Sequence, residues 1–254
     1  MEQAAVAVIF FICAFLSLFA GKKNGDELKA FLSEHVTRLI LEEAFEVDEY
    51  MHKGSISENT IKSAELFEGW NTYTGNDYVR GKYKGHDIQF CDVHLENVSE
   101  DSEYGEQRST IFRGPWIILE HVRDFPSPVR VRERSFLRRR WIFQKRNEIK
   151  TENAAFNKQF QILARDGHTA FLILTPHFME FLISADEKAK GDTLICFDGS
   201  SICIAIHNDK DSFGASGKML KDVAKIRESH KNDLKYLTDI LDELMQNDYL
   251  FNQN

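Results

Sequence analysis

Proline is scarce, with four residues in 254, and no low-complexity linker breaks the chain, so nothing marks off a second globular domain. No internal repeat is present. Cysteine is also sparse. Cys13, Cys91, Cys196 and Cys203 follow neither a metal-ligand nor a disulfide-framework spacing, and fit reduced thiols in a cytoplasmic domain. An excess of positive charge is missing: the formal net charge of −8 is adverse to non-specific nucleic-acid binding, and no nucleic-acid motif offsets it. There is no G-x-S-x-G, no Walker-type loop, no H-E-x-x-H and no kinase signature set. These absences weigh against an enzyme without excluding one. They name no catalytic residue and call for no cofactor.

What the chain does have is an apolar N-terminal run. Residues 4–20 (AAVAVIFFICAFLSLFA) carry no charge, and only Ser17 is polar. As a helix they span roughly 25 Å at 1.5 Å per residue, against a hydrocarbon core of ~30 Å. Gly21 and the long stems of Lys22 and Lys23 extend the reach. Glu2 precedes the run and Lys22 and Lys23 follow it, so the positive-inside rule puts the C-terminal side in the cytoplasm. The rival reading is a signal peptide ending at Ala20. It lacks a basic n-region, and Leu18 occupies the outer small-residue position. The expectation is a single-pass anchor over 1–24 in the inner membrane, holding a cytoplasmic body.

The segments that follow are read from periodicity and punctuation. Leu28, Phe31, Leu32, Val36, Leu39 and Ile40 predict a juxtamembrane amphipathic helix within 25–50, with Asp26 as its cap. Ser57 caps a short helical piece anchored by Ile61, Leu66 and Phe67. Residues 77–83 and 86–96 form a hairpin about Lys84-Gly85, with Val79 facing Phe90 and Gly81 facing Ile88. The apolar phase then changes between Phe90 and Cys91, which requires either a bulge there or a strand buried on both sides. Residues 97–107 read as an acidic loop, and 109–120 as a strand that Gly114-Pro115 sends to an edge or kinks.

Further along, 153–160 reads as a short helix and 170–175 (AFLILT) as a buried strand. Pro176 opens a helix capped by Thr175, with Phe178, Phe181 and Leu182 inside. Two strands about Asp198–Ser201 bring Cys196 opposite Cys203. A long amphipathic helix runs from near Gly217 to about Asn247, and its apolar stripe has either the domain or another chain to pack on. The fold class is α+β, a largely antiparallel sheet with packed helices. It is organised as anchor 1–24, helix 25–50, domain 51–212 and C-terminal helix 213–254.

The stretches IKSAELFEGWNTYTGNDYVRGKYKGHDIQFCDVHLE (61–96), TIFRGPWIIL (110–119) and FNKQFQILARDGHTAFLILTPHFMEFL (156–182) resemble a bacterial membrane-protein family filed as domain of unknown function 3137. The most specific parts are Gly75-Asn76-Asp77, Phe112-Arg113-Gly114, Leu174-Thr175-Pro176 and Phe178-Met179-Glu180. The likeness covers most of residues 50–245. It implies N-terminal hydrophobic segments, usually two where this chain shows one, followed by a cytoplasmic-type α+β domain. It implies no activity.

Residues 130–150 hold nine cations against Glu133 and Glu148. Arg130, Arg132, Arg134, Arg138, Arg139, Arg140, Lys145 and Arg146, with Trp141, make a candidate surface for anionic lipid headgroups or a partner. Each cation near a membrane surface contributes about 1 kcal/mol. The plainer reading is a solvated face whose charges pair with the acidic excess elsewhere. Asp92, His94 and Glu96 alternate on one strand face and are weak metal candidates, against a polar outer face. Cys196 and Cys203 read as two buried apolar residues, or as a disulfide if the domain is exported. The function expected is a membrane-anchored, non-enzymatic interaction or regulatory module, using the basic region and the C-terminal helix as its surfaces. An enzyme of unrecognised type is the alternative.

Overall fold

The computed structural model describes residues 34–35, 37–101, 105–139, 147–186, 191–210 and 223–251. The apolar run 4–20 lies outside these residues, as do Arg140, Trp141, Lys145, Arg146 and the side chains of Arg138 and Arg139. Among the described residues no helix is long and apolar enough to cross a membrane.

Among the described residues nine strands form one antiparallel sheet: β1 (Glu46–Met51), β2 (Thr72–Tyr83), β3 (His86–Asp101), β4 (Gly105–Leu119), β5 (Phe125–Glu133), β6 (Glu148–Ile149), β7 (Phe160–Ala164), β8 (Asp192–Gly199) and β9 (Ser201–His207), in the order β1-β2-β3-β4-β9-β8-β5-β7-β6. Helix α1 covers 37–44. It is followed by α2 (Glu58–Ser63), α3 (Arg134–Arg139), α4 (Ala154–Gln159), α5 (Gly167–Ile173), α6 (Pro176–Asp186), α7 (Val223–Leu244) and α8 (Asp248–Phe251).

The central strands are buried on both faces, which explains the phase change in β3. Ile88 and Phe90 enter one core, and Cys91, Val93 and Leu95 enter the other. The bulge lies across the ladder, in β2 between Asn76 and Val79. Asp77 stands there at φ 55, a left-handed conformation that Asp tolerates better than most residues. Its buried carboxylate accepts from Tyr50 at 2.6 Å and Asn76 at 2.6 Å and meets His52 Nδ1 at 2.8 Å. The Lys84-Gly85 turn has positive φ at both residues, and the expected pairs Val79–Phe90 and Gly81–Ile88 are formed.

On the first face Ile88, Phe90, Ile117, Leu119, Ile195, Phe197, Ile202, Ile204, Val129 and Val131 meet the helices. Ile40 and Leu41 come from α1, Phe178, Met179 and Leu182 from α6, and Leu234, Leu237, Ile240, Leu241 and Leu244 from α7. Leu234, Leu237, Ile240, Leu241 and Leu244 of the α7 stripe therefore face the chain's own sheet. Helices α1 and α7 share this core with the sheet. On the second face Cys91, Val93, Phe112, Trp116, Leu194, Cys196 and Cys203 are covered by Ile56, Ile61, Leu66 and Phe67 from the arm around α2, and by Phe136 and Leu137 from α3.

Several expectations are corrected. Residues 46–50 are an edge strand and not the end of a helix, and Leu39 is exposed while Leu41 is buried. Residues 97–101 and 105–107 extend the β3–β4 ladder instead of forming a loop. Strand β4 is central, with β9 pairing beginning at Trp116, just past Pro115, where the missing N–H breaks no ladder bond to β9. Residues 170–173 are helical: Asp166 accepts from the amides of His168 and Thr169, both at 3.0 Å, and caps α5, leaving Phe171 exposed and Ala170 and Ile173 buried. A short apolar run is the same in a strand and a helix, so the cap decides. The caps expected from Ser57 and Thr175 are made.

Gly114 has φ 148, and a Cβ there would stand 2.2 Å from the Ile206 carbonyl oxygen. Gly114→Ala is expected to cost about 2–4 kcal/mol by this clash and strained backbone. Urea unfolding would show it as a lower midpoint at unchanged slope.

Candidate functional site

Arg130 and Arg132 alternate on β5 and share the second face, as their spacing predicts. Arg134 does not join them, because the strand ends at Glu133. Its guanidinium turns to the Asn157 carbonyl at 2.8 Å and Glu148 at 2.6 Å. Arg130 donates from Nε to the Ala64 carbonyl at 2.8 Å, and Nη2 meets Glu65 Oε2 at 2.8 Å. Arg132 is buried and donates to the Glu65 carbonyl at 2.6 Å. Burial lowers the pKa of Arg132 from the ordinary arginine value, against the pull of Glu68 and Glu65. The guanidinium groups of these three arginines are therefore each engaged by a neighbouring segment of the fold.

Arg130 and Arg132 do line a cleft of about 800 Å³ on the second face. Its other walls come from the arm at Lys62, Glu65, Phe67, Glu68 and Trp70, from Leu163 and Arg165 at the end of β7, and from Asp198 on β8. The arm is pinned by Phe67, whose ring lies 4.5 Å from Phe112, 5.5 Å from Phe136 and 5.8 Å from Trp116. Glu65 stands one residue past the C-cap of α2 at φ 47, where helices usually place glycine. Lys62 pairs with Glu58 at 2.7 Å and lies over the Trp70 ring, 5.3 Å from its centre. Sequence spacing exposed only Arg130 and Arg132. Lys62, Trp70 and Arg165 arrive from distant stretches through the sheet order, and no local pattern marks them.

The metal candidates do not assemble. Asp92 is buried, His94 Nε2 meets Thr110 Oγ1 at 3.0 Å and lies 3.8 Å from Glu96, and Glu96 also approaches Arg108 at 3.4 Å. Among the described residues no three His, Cys, Asp or Glu side chains gather as metal ligands would. Cys196 sits directly opposite Cys203, and both thiols are free. Burial pushes Cys196 up to about 12 and Cys203 higher still, so neither is a thiolate near neutral pH.

A second polar cluster, not anticipated from sequence, lies where β5, β8, α3, α6 and α7 meet. Glu133 accepts from the Thr193 amide at 3.0 Å and contacts Ser135 Oγ, which also bonds Asp192 at 2.7 Å. Thr193 Oγ1 reaches Tyr236 at 2.6 Å. Burial, then a hydrogen bond with Asp186, pushes Glu133 up to about 8.

The sign of the pH effect follows. An unfolded Glu ionises near 4.3 while the folded one holds its proton to about 8, so this group's stabilising contribution is full below the lower value. It falls as pH rises through about 8. Thermal melts from pH 5 to 9 should show a falling Tm, and Glu133→Gln should flatten the part of the profile above the unfolded value. A wild-type Tm that parallels that of the variant across the range would refute the assignment.

A family profile described as "Protein of unknown function (DUF3137)" matches residues 110–246, more than half of the chain. The match leaves out the 61–96 stretch on which part of the resemblance rested. No curated protein matches. The crystal structure of the mycobacterial trehalose monomycolate transport factor A, TtfA, aligns over 80% of this chain and 94% of that one, at 8% identity and a TM-score of 0.42, a likeness too loose to carry an argument.

Proposed function

The chain belongs to the DUF3137 family, and we propose that it is a non-enzymatic binding module held at the inner face of a membrane by residues 4–20. The observation that supports the reading best is the cleft. At about 800 Å³ it has the size of a small-molecule site, and charged groups from four separate segments converge on it. The attachment rests on the uncharged run and its Lys22-Lys23 flank, and the basic segment 138–146 would then lie on a body held close to lipid.

The full chain from cells is expected in the carbonate-resistant membrane fraction. Ile12→Arg, which places a charge costing about 2.5–3.5 kcal/mol mid-span, should shift it toward the soluble fraction. A wild-type chain that is soluble, or that begins at Gly21, would overturn the anchor. For the cleft, thermal melts of the full chain against sugar phosphates, nucleotides, dicarboxylates and short-chain anionic lipids should find one class that raises Tm. The rise should be about 5–10 °C at a hundredfold excess over Kd, and Arg130→Ala should cancel it. No rise with any class, or one that survives Arg130→Ala, would refute the cleft.

A further inference from the structure

We infer that the cleft receives a phosphomonoester group, and that Glu65 occupies the phosphate position until the ligand displaces it. The inference rests on the cleft being the binding site and adds the ligand class and the residue that gates it.

The two arginines are fixed from the inside. Carbonyl oxygens of Ala64 and Glu65 hold the Arg130 Nε and the Arg132 Nη2, so the guanidinium planes are set before anything binds. The Glu65 carboxylate that meets Arg130 is different in kind. The Glu65 side chain is 71% exposed, against 14% for Arg130. The cation is built in, and the anion is mostly in water. A pair so exposed on one side holds by a factor of only about two to five, which a better anion overcomes. Glu65 also adopts φ 47, where glycine would serve the helix end without strain. Capping gives no reason for a glutamate there. Its carbonyl and its carboxylate are both turned to the arginine pair.

Charge distinguishes between anions. Lys62, Arg130, Arg132 and Arg165 face Glu65, Glu68 and Asp198, four cations to three carboxylates. With Glu65 turned out, the excess among the lining groups is two, or one when Glu58, the partner of Lys62, is counted. A phosphomonoester carries about −1.5 to −2 at neutral pH and takes up that excess in full, whereas a monocarboxylate would only replace like with like. Arginine's planar fork suits phosphate oxygens better than a lysine does. Trp70, beside the arginines, gives the ligand's carbon skeleton a flat wall.

The phosphate has two sources, a lipid headgroup such as phosphatidic acid or a soluble phosphate compound. Calorimetric titration of the full chain in neutral detergent at low salt, with inorganic phosphate and with monomeric dihexanoyl phosphatidic acid, separates them. Binding at least tenfold tighter to the lipid points to the headgroup, and equal affinity to the free group. Either supports the inference when two further results hold. Glu65→Gln should bind about two- to fivefold tighter than wild type. Arg130→Ala should bind at least tenfold more weakly, with Arg130→Lys, which keeps the charge and loses the fork, in between. Melting curves of each variant would show that it is folded. Should Glu65→Gln bind no tighter while the Arg130 variants weaken, Glu65 is not the gate and the cleft stands. Should neither anion bind wild type or Glu65→Gln, the phosphate class is wrong, and an Arg130-dependent Tm rise with another compound class would keep the cleft alone.

Discussion

The structure depends on a sheet whose central strands are buried on both faces. Antiparallel sheets commonly leave one face to water. Here β3, β4, β9 and β8 place apolar residues on alternate sides with equal strictness, so two separate covers are required. The first face has ample cover, since α1, α5, α6, α7 and α8 all contribute. The second is covered, among the described residues, by the arm around α2 and the short α3. The apolar part of that cover lies, among the described residues, over β3, β4, β9 and part of β8. The cleft lies at its margin. The strand residues change there as well: on β5 Val129 and Val131 still enter the first core, while Arg130 and Arg132 occupy the second face. Polar residues on that side follow from the end of the apolar cover, and the cavity above them is the space it does not fill.

Much of the architecture was legible in sequence, and the parts that were have a common cause. The Lys84-Gly85 turn, the Ser57 and Thr175 caps, the Cys196–Cys203 pairing and the α7 stripe are each fixed by a few neighbouring residues. The misreadings arose where local signals are silent. Residues 97–107 look like a loop because charge and turn-formers dominate them, yet pairing along the long β3–β4 ladder holds them extended. Residues 170–175 fit strand and helix alike, and the deciding group, Asp166, stands outside the run. The cleft was half visible, since the alternation of Arg130 and Arg132 fixed their shared face. The partners that turn those guanidinium groups inward come from a segment over sixty residues earlier.

The stretches that carry the family resemblance most specifically explain themselves structurally. Asp77 anchors a bulge, Gly114 admits the Ile206 carbonyl, and Thr175-Pro176 starts α6. Arg113, between two of those residues, receives the chain leaving β9, since its carbonyl accepts from Asn208 and Asp209 at 3.2 and 3.1 Å. At Asp77 and Gly114 the backbone itself is unusual, and substitutions there act on the fold. They are a poor guide to chemistry, because a site residue needs only its side chain to be placed and leaves no mark on local geometry.

Glu65 is the exception, and it joins the two arguments. It combines an unusual backbone with a side chain turned to a site. The arm that holds it is fastened by Phe67 two residues later, in the aromatic group that fills the second core. The element that covers the sheet and the element that fills the arginine pair are thus one short segment. Movement of the Glu65 carboxylate requires only rotation of a solvent-exposed side chain, because its carbonyl stays on Arg132 and Phe67 stays packed. A ligand entering the cleft need not disturb the core, and a core that does not yield keeps both guanidinium groups aimed at the same point in either state.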